Sequence, residues 1–173
     1  NMECLRNETS EDTVPLFYPQ HIKDGRVIFP LHTGDEYITT EKSGLIQKNK
    51  NYLFVKRFTT KEEKKRLQCG IYLSSDFSEY SSISTQNKVN FIETLNFEMS
   101  KELVYGLYVL FNSTIYDLYY RILNGSTQVN STEVNAMPVP TLNEIERLGV
   151  ALLEKNDLST CACDEVLEVL IKE

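Results

Sequence analysis

Hydrophobic and polar positions change their period part-way along the chain. Before Ser100 the apolar residues come in short runs, several of them alternating, whereas after it they recur at helical spacing. This shift predicts an α+β fold, with a short mixed or antiparallel sheet first and a helical second half. In the first forty residues Pro15, Pro19, Gly25, Pro30 and Gly34 punctuate every apolar run, so short strands and irregular backbone are expected there and long helices are not. The stretch "YLFVKRF" at 52–58 reads as a strand with Tyr52, Phe54 and Phe58 on one face and Leu53 and Val55 on the other, and "LQCGIYL" at 67–73 as a second strand. Between them, Thr60 followed by Glu63 fits a capping box, which would make "KEEKKR" a short helix rather than a turn.

Residues 74–88 are serine-rich with few apolar anchors and predict a loop that orders on a partner, and "VNFIETLNF" follows as a further short strand. Leu103, Leu107, Leu110 and Phe111 then share a helical face that Val104 and Tyr108 widen. Asn112 and Ser113 interrupt this run, so two abutting helices are expected, the second carrying Ile115, Leu118, Tyr119 and Ile122 behind a cap at Thr114 and Asp117. Asn124-Gly125 is read as a left-handed stop. Thr141 with Glu144 opens another helix, with Ile145, Leu148, Gly149 and Leu152 on one face, and a last helix is expected over 164–170.

At 41% apolar and 10% aromatic, 173 residues suit one compact domain and exclude a disordered or fibrous class. The longest apolar stretch, 103–123, is broken by Asn112, Ser113, Asp117 and Arg121, which excludes a membrane span. No positive end with an apolar run opens the chain, so a cytoplasmic location is expected, and an opening on Asn1-Met2 fits a piece cut or expressed from a longer protein. Cys4, Cys69, Cys161 and Cys163 match neither a disulfide scaffold nor a zinc ribbon, and His21 with Asp24 or His32 with Asp35 matches no metal motif. No metal site is expected. Asp76, Glu79 and Lys88 lack the strand frame that magnesium-dependent cleavage needs.

The net charge of -7 is unevenly spread. Residues 48–66 hold eight Lys or Arg against two Glu, while 133–173 hold nine acids against three bases. Phosphate binding depends on where positive charge faces rather than on its sum, so a basic face remains open to the chain. On a strand Lys56 and Arg57 point to opposite faces; a helical connector would gather Lys61, Lys64 and Lys65, with Arg66 nearby, at one corner. The plainer reading is a solvated turn that keeps the sheet soluble.

The ordered segments "VPLFYPQHI", "GRVIFP", "NYLFVKRFTTKEEKKRL", "NKVNFIE" and "LFNSTIYDLYYRILNGSTQVNSTEVNAMPVP", spanning most of 14–140, resemble the C-terminal target-recognition half of bacterial type II N6-adenine DNA methyltransferases, including forms fused to a nuclease. The resemblance implies a single DNA target-recognition domain over 1–173 that binds duplex DNA and positions it for a methyl-transfer domain in cis or in trans. That domain would carry an Asn-Pro-Pro-Tyr type motif and a glycine-containing loop for S-adenosylmethionine; these 173 residues contain neither, and Gly70, Gly106, Gly125 and Gly149 make no dinucleotide fingerprint. Alone, the chain is expected to be non-catalytic and to hold no cofactor.

Within that resemblance, Lys56, Arg57, Lys64, Lys65 and Arg66 are candidate phosphate contacts. Thr127, Gln128 and Asn130 are candidate polar contacts to bases, since short amides and hydroxyls match base edges. Asn124 and Gly125 are expected to shape the turn, and Asn130 either to tie the loop together or to touch DNA. Further base readers are sought between Ser74 and Asn87. The tyrosines of the helical half, Tyr105, Tyr108, Tyr116, Tyr119 and Tyr120, are read as packing more than as stacking groups. The rival reading is a module that packs on the methyl-transfer domain without reading DNA.

Overall fold

A computed structural model describes residues 2–41 and 43–173. Its strands are β1 (Leu5–Arg6), β2 (Thr13–Phe17), β3 (Ile22–Lys23), β4 (Gly25–Val27), β5 (Tyr37–Thr39), β6 (Gln47–Lys48), β7 (Tyr52–Lys56), β8 (Cys69–Tyr72), β9 (Ser82–Thr85) and β10 (Val89–Ile92). Its helices are α1 (Lys101–Asn112), α2 (Thr114–Leu123), α3 (Ser131–Asn135), α4 (Leu142–Lys155) and α5 (Thr160–Lys172). One mixed sheet has the order β1-β5-β2-β9-β6 and the other β10-β7-β8-β4-β3, so the α+β expectation holds.

β7 shows how alternation builds three layers. Tyr52 and Phe54 join Phe17 of the first sheet, together with Tyr72, Phe77 and Ile83, in an aromatic layer between the sheets. The fully buried Phe17 ring is its centre, lying 4.9 to 5.6 Å from the rings of Phe29, Phe54, Tyr72 and Phe77. Leu53 and Val55 point the other way, into the helical core of α1, α4 and α5. Phe58 joins neither layer and stays 45% exposed.

The break between α1 and α2 falls as expected, but the cap is Ser113, whose hydroxyl accepts from Tyr116 N. Thr114 is the first helical residue, and its N–H and hydroxyl donate to Asp164 of α5 at 2.7 and 2.6 Å. The last helix therefore starts earlier than expected, at Thr160 behind the cap Ser159. The Thr141–Glu144 capping box forms and opens α4. The stop after α2 differs from its expectation: Asn124 is extended, at φ -127, and its backbone N–H donates to Tyr120 O to close the helix.

Two expectations about connectors are corrected. Thr60 N donates to Glu63 Oε1 at 2.9 Å, yet residues 61–66 form turns instead of a helix, because Arg66 and Leu67 are drawn beneath α2 by Asp117. Residues 74–88 are not a free loop. They contain a 3-10 turn at Ser74–Phe77 and β9, with the Phe77 ring stacked 5.0 Å from Tyr72 and Asn49 Nδ2 donating to the carbonyls of Phe77 and Tyr80.

A buried polar pair organises the first sheet. His21 Nδ1 accepts from Tyr18 N at 2.8 Å, so Nε2 carries the proton and donates to Glu36 Oε1 at 2.6 Å. Glu36 also accepts from Leu31 N and His32 N. Burial raises the Glu36 pKa, but the bonds from His21, Leu31 and His32 together outweigh it and hold the carboxyl below its ordinary value. A depressed carboxyl stabilises the fold above its unfolded pKa of about 4.3 and loses that contribution as pH falls through the folded value. Glu36→Gln is therefore expected to lower stability at neutral pH by about 1.5 to 3 kcal/mol and to flatten the acid limb below about pH 4.3. Thermal melts across that range check both effects.

Candidate nucleic-acid interface

The basic strand and the amide-rich stretch meet. Beyond β7, Val129 N donates to Arg57 O at 2.6 Å and Thr59 N to Thr127 O at 3.2 Å, which places Phe58 opposite Gln128 in an antiparallel bridge. Arg57 N donates to Lys88 O, adding the turn at 86–88. One edge thus gathers Arg57, Phe58, Thr127, Gln128, Asn87 and Lys88.

The loop that carries Thr127 and Gln128 is rigid for local reasons. The buried Asn124 accepts from Ser126 N at 2.8 Å and donates to Gln128 O at 3.0 Å, so it shapes the turn as its composition suggested. Ser126 Oγ accepts from Gln128 N, and Tyr120 Oη donates to Gln128 O. The Gln128 backbone is held from several directions, while its side-chain amide makes no hydrogen bond among the described residues. Thr127 is exposed. Asn130 is half-buried and its Nδ2 lies 3.4 Å from Glu133 Oε1.

The five candidate cations separate. Arg66 is a correction: its side chain is fully buried, with Nε donating to Thr59 Oγ1 at 3.1 Å, Nη2 to Ser126 O at 2.6 Å, and the guanidinium 5.5 Å from the Tyr120 ring centre. A group enclosed in this way cannot meet a phosphate. It instead ties the connector to the loop at 124–130. Lys65 is also committed internally, its ammonium donating to Asn112 O and Oδ1 at the end of α1 and lying 3.3 Å from Thr160 Oγ1. A cation there offsets the negative end of the helix dipole. Burial pulls the Lys65 pKa below its ordinary value, with Cys69 and Asp117 acting in the opposite sense.

Lys56 lies apart from Arg57, as their alternation required. It lines a cleft of about 580 Å³ with Asp24, Arg26, Lys65, Gln68 and Asp157. Arg57 instead lines a separate cleft of about 480 Å³ with Asn90, Asn130, Ser131, Thr132 and Glu133, and its Nη1 donates to Asn87 O at 3.1 Å. Lys64 is exposed. Two cations outside the first selection complete the edge: Lys88, and Lys61, which stands over Gly125. Lys61 belongs to the basic run visible in the sequence; Lys88 gave no signal because its position comes from the sheet. Lys65→Met is expected to lower stability by about 1 to 3 kcal/mol, and Lys64→Ala by no more than about 0.5 kcal/mol, in urea melts of the two variants.

Three of the glycines are taken up by packing. Gly70 lies within β8 against Ile22 and Val27, and Gly106 and Gly149 are consumed by the contact between α1 and α4. The thiols offer no nucleophile in the core, because burial pushes Cys69 up to about 12 and Cys163 up to about 11.

The chain is 35% identical over 173 residues to the type II methyltransferase M.BsuBI of Bacillus subtilis, a match covering 98% of the chain and 34% of that protein. It is related to one region of type II methyltransferases. A second relative, the type II methyltransferase M.PstI of Providencia stuartii, is 32% identical over 151 residues, covering 85% of the chain and 30% of its own length. The chain thus spans about a third of the length of the curated relatives it matches. No family model and no solved structure matches it. Among the described residues, no helix is long and apolar enough to cross a membrane.

Proposed function

We propose that the chain is the DNA target-recognition part of an adenine-specific type II methyltransferase in a restriction-modification system. The observation that carries this reading is the pairing of residues 57–59 with 127–129. It sets cations and uncommitted amide and hydroxyl groups on one exposed edge. Arg57, Lys61, Lys64 and Lys88 are suited to hold phosphates, and Gln128, with Thr127 beside it, to meet base edges. Asn130 supports the start of α3. Methyl transfer and S-adenosylmethionine belong, on this reading, to a part of the protein equivalent to the other two-thirds of the relatives. The chain's task is to bind duplex DNA and fix its register for that part, in the cytoplasm.

Equilibrium binding across salt concentrations tests the reading. Replacing Lys61 and Lys64 together by glutamine is expected to weaken target and nontarget duplexes alike and to reduce the logarithmic salt slope by about 2, since each neutralised phosphate contributes about 0.9. Gln128→Ala is expected to narrow the target preference by about 1 to 3 kcal/mol without changing the slope. Unchanged slope and preference in both variants would reject the assignment.

A second reading has its own observation. On α2, Ile115, Leu118 and Tyr119 are exposed and Ile122 is 80% exposed, forming an apolar helical stripe. That stripe suits packing on a methyl-transfer domain. If it were the chain's sole function, Ile122→Lys would disrupt assembly, and no substitution at the 57–59 edge would alter DNA binding.

A further inference from the structure

Phe58 has no place in the fold that explains it. Its neighbours Tyr52 and Phe54 on β7 are buried, yet its own ring remains 45% exposed at the edge, covered on one side by the Arg57 guanidinium 5.8 Å from the ring centre. The hydrogen bonds Val129 N to Arg57 O and Thr59 N to Thr127 O flank the Phe58–Gln128 bridge without involving either of its residues. This is the non-hydrogen-bonded type of antiparallel pair, in which opposed side chains lie on the same face with their Cα atoms about 4.5 Å apart. A free amide and a free phenyl ring are therefore held side by side, on backbone fixed by Asn124, Ser126 and Tyr120.

An A·T pair offers matching chemistry. In the major groove adenine presents N7 and N6, which a glutamine amide meets with two hydrogen bonds, and its thymine presents the C5-methyl, an apolar group suited to a phenyl ring. Resting on the recognition function proposed above, we propose that Gln128 and Phe58 act as one composite reader of A·T sequence, the amide on adenine and the ring on a thymine methyl of the same pair or the next. Arg57, stacked on that ring and bonded to Asn87 O, limits its rotation and keeps positive charge at the groove's rim. The pair divides the work: Gln128 distinguishes adenine from guanine, and Phe58 distinguishes thymine from any pyrimidine lacking the methyl.

The test uses the 173-residue chain with a randomised duplex library, prepared once with thymidine and once with deoxyuridine, followed by affinities on the enriched duplex with single thymine-to-uracil changes. The wild-type chain is expected to lose about three- to fivefold in affinity at one thymine, the worth of one buried methyl. Phe58→Ala should bind more weakly and lose the distinction between thymine and uracil at that position, while Phe58→Leu, which keeps an apolar contact, should retain part of it. Gln128→Ala should relax the preference at the adjoining adenine. Enrichment of a motif with no sensitivity to methyl removal at any thymine would overturn the role of Phe58 and leave DNA recognition standing. Equal losses for Phe58→Ala on thymine and uracil duplexes would also overturn it, marking the ring as sequence-independent packing or a wedge. Failure of the folded chain to enrich any sequence would overturn the reader together with the recognition function on which it rests.

Discussion

Gly149→Ala is expected to disrupt the helical half more than any other single-methyl addition in the chain. A Cβ at this position would lie 1.7 Å from Glu102 O, and one at Gly106 would lie 1.8 Å from Ile145 O. These obstacles are backbone atoms, so no side-chain rotation relieves them; α1 and α4 would have to separate and open the core at Leu103, Leu107, Leu148 and Leu152. Overpacking of this kind costs about 3 kcal/mol or more, well beyond the roughly 1 kcal/mol that alanine gains over glycine in a helix. Urea denaturation followed by circular dichroism checks it. Gly34→Ala, with nothing within 4 Å of the added carbon, serves as the control and should stay within about 0.5 kcal/mol of wild type.

The second large effect is expected at Asp117. This buried carboxylate accepts from Arg66 N at 2.7 Å and Leu67 N at 3.0 Å, and from Arg121 Nε at 2.8 Å. Arg121 also donates to Lys61 O and Glu63 O, so α2 holds the whole basic connector from above. Asp117→Ala would leave two buried N–H groups unpaired and one cation without its partner, a loss of about 3 to 5 kcal/mol. Asp117→Asn keeps an acceptor for the two N–H groups and should cost less. The consequence reaches the candidate interface, because Arg66 Nη2 donates to Ser126 O two residues before Gln128. Both variants should therefore reduce base discrimination as well as stability, whereas Lys64→Ala should affect neither.

The sequence made legible whatever depends on neighbours in the chain. The alternation of Tyr52 and Phe54 against Leu53 and Val55 survives in the two cores, and the Thr141–Glu144 box opens α4 because both of its bonds are local. Long-range partners decide what could not be read. Arg66 looks solvated within a charged run; only Thr59, Ser126 and Tyr120, brought around it by folding, enclose it. Lys65 is similar, since its acceptors on Asn112 lie 47 residues away. The capping signal at Thr60 forms its bond, but the pull of Asp117 on Arg66 and Leu67 prevents the helix. At the candidate interface the residue types were visible, but the adjacency of Phe58 and Gln128 was not, because a bridge across 70 positions leaves no local pattern. Arg57, Thr127 and Gln128 come together there, while Lys56 faces another cleft.

DNA is expected on this edge rather than on the α2 stripe or the α4–α5 surface. Backbone and side-chain NMR of the labelled chain, titrated with a duplex enriched from a random library, separates these surfaces. Shifts are expected to concentrate at Arg57, Phe58, Lys61, Lys88, Thr127 and the Gln128 side-chain amide, with the α2 stripe at Ile115, Leu118 and Ile122 unaffected. Shifts confined to that stripe or to α4 and α5, with the Gln128 amide unmoved at saturation, would contradict this placement.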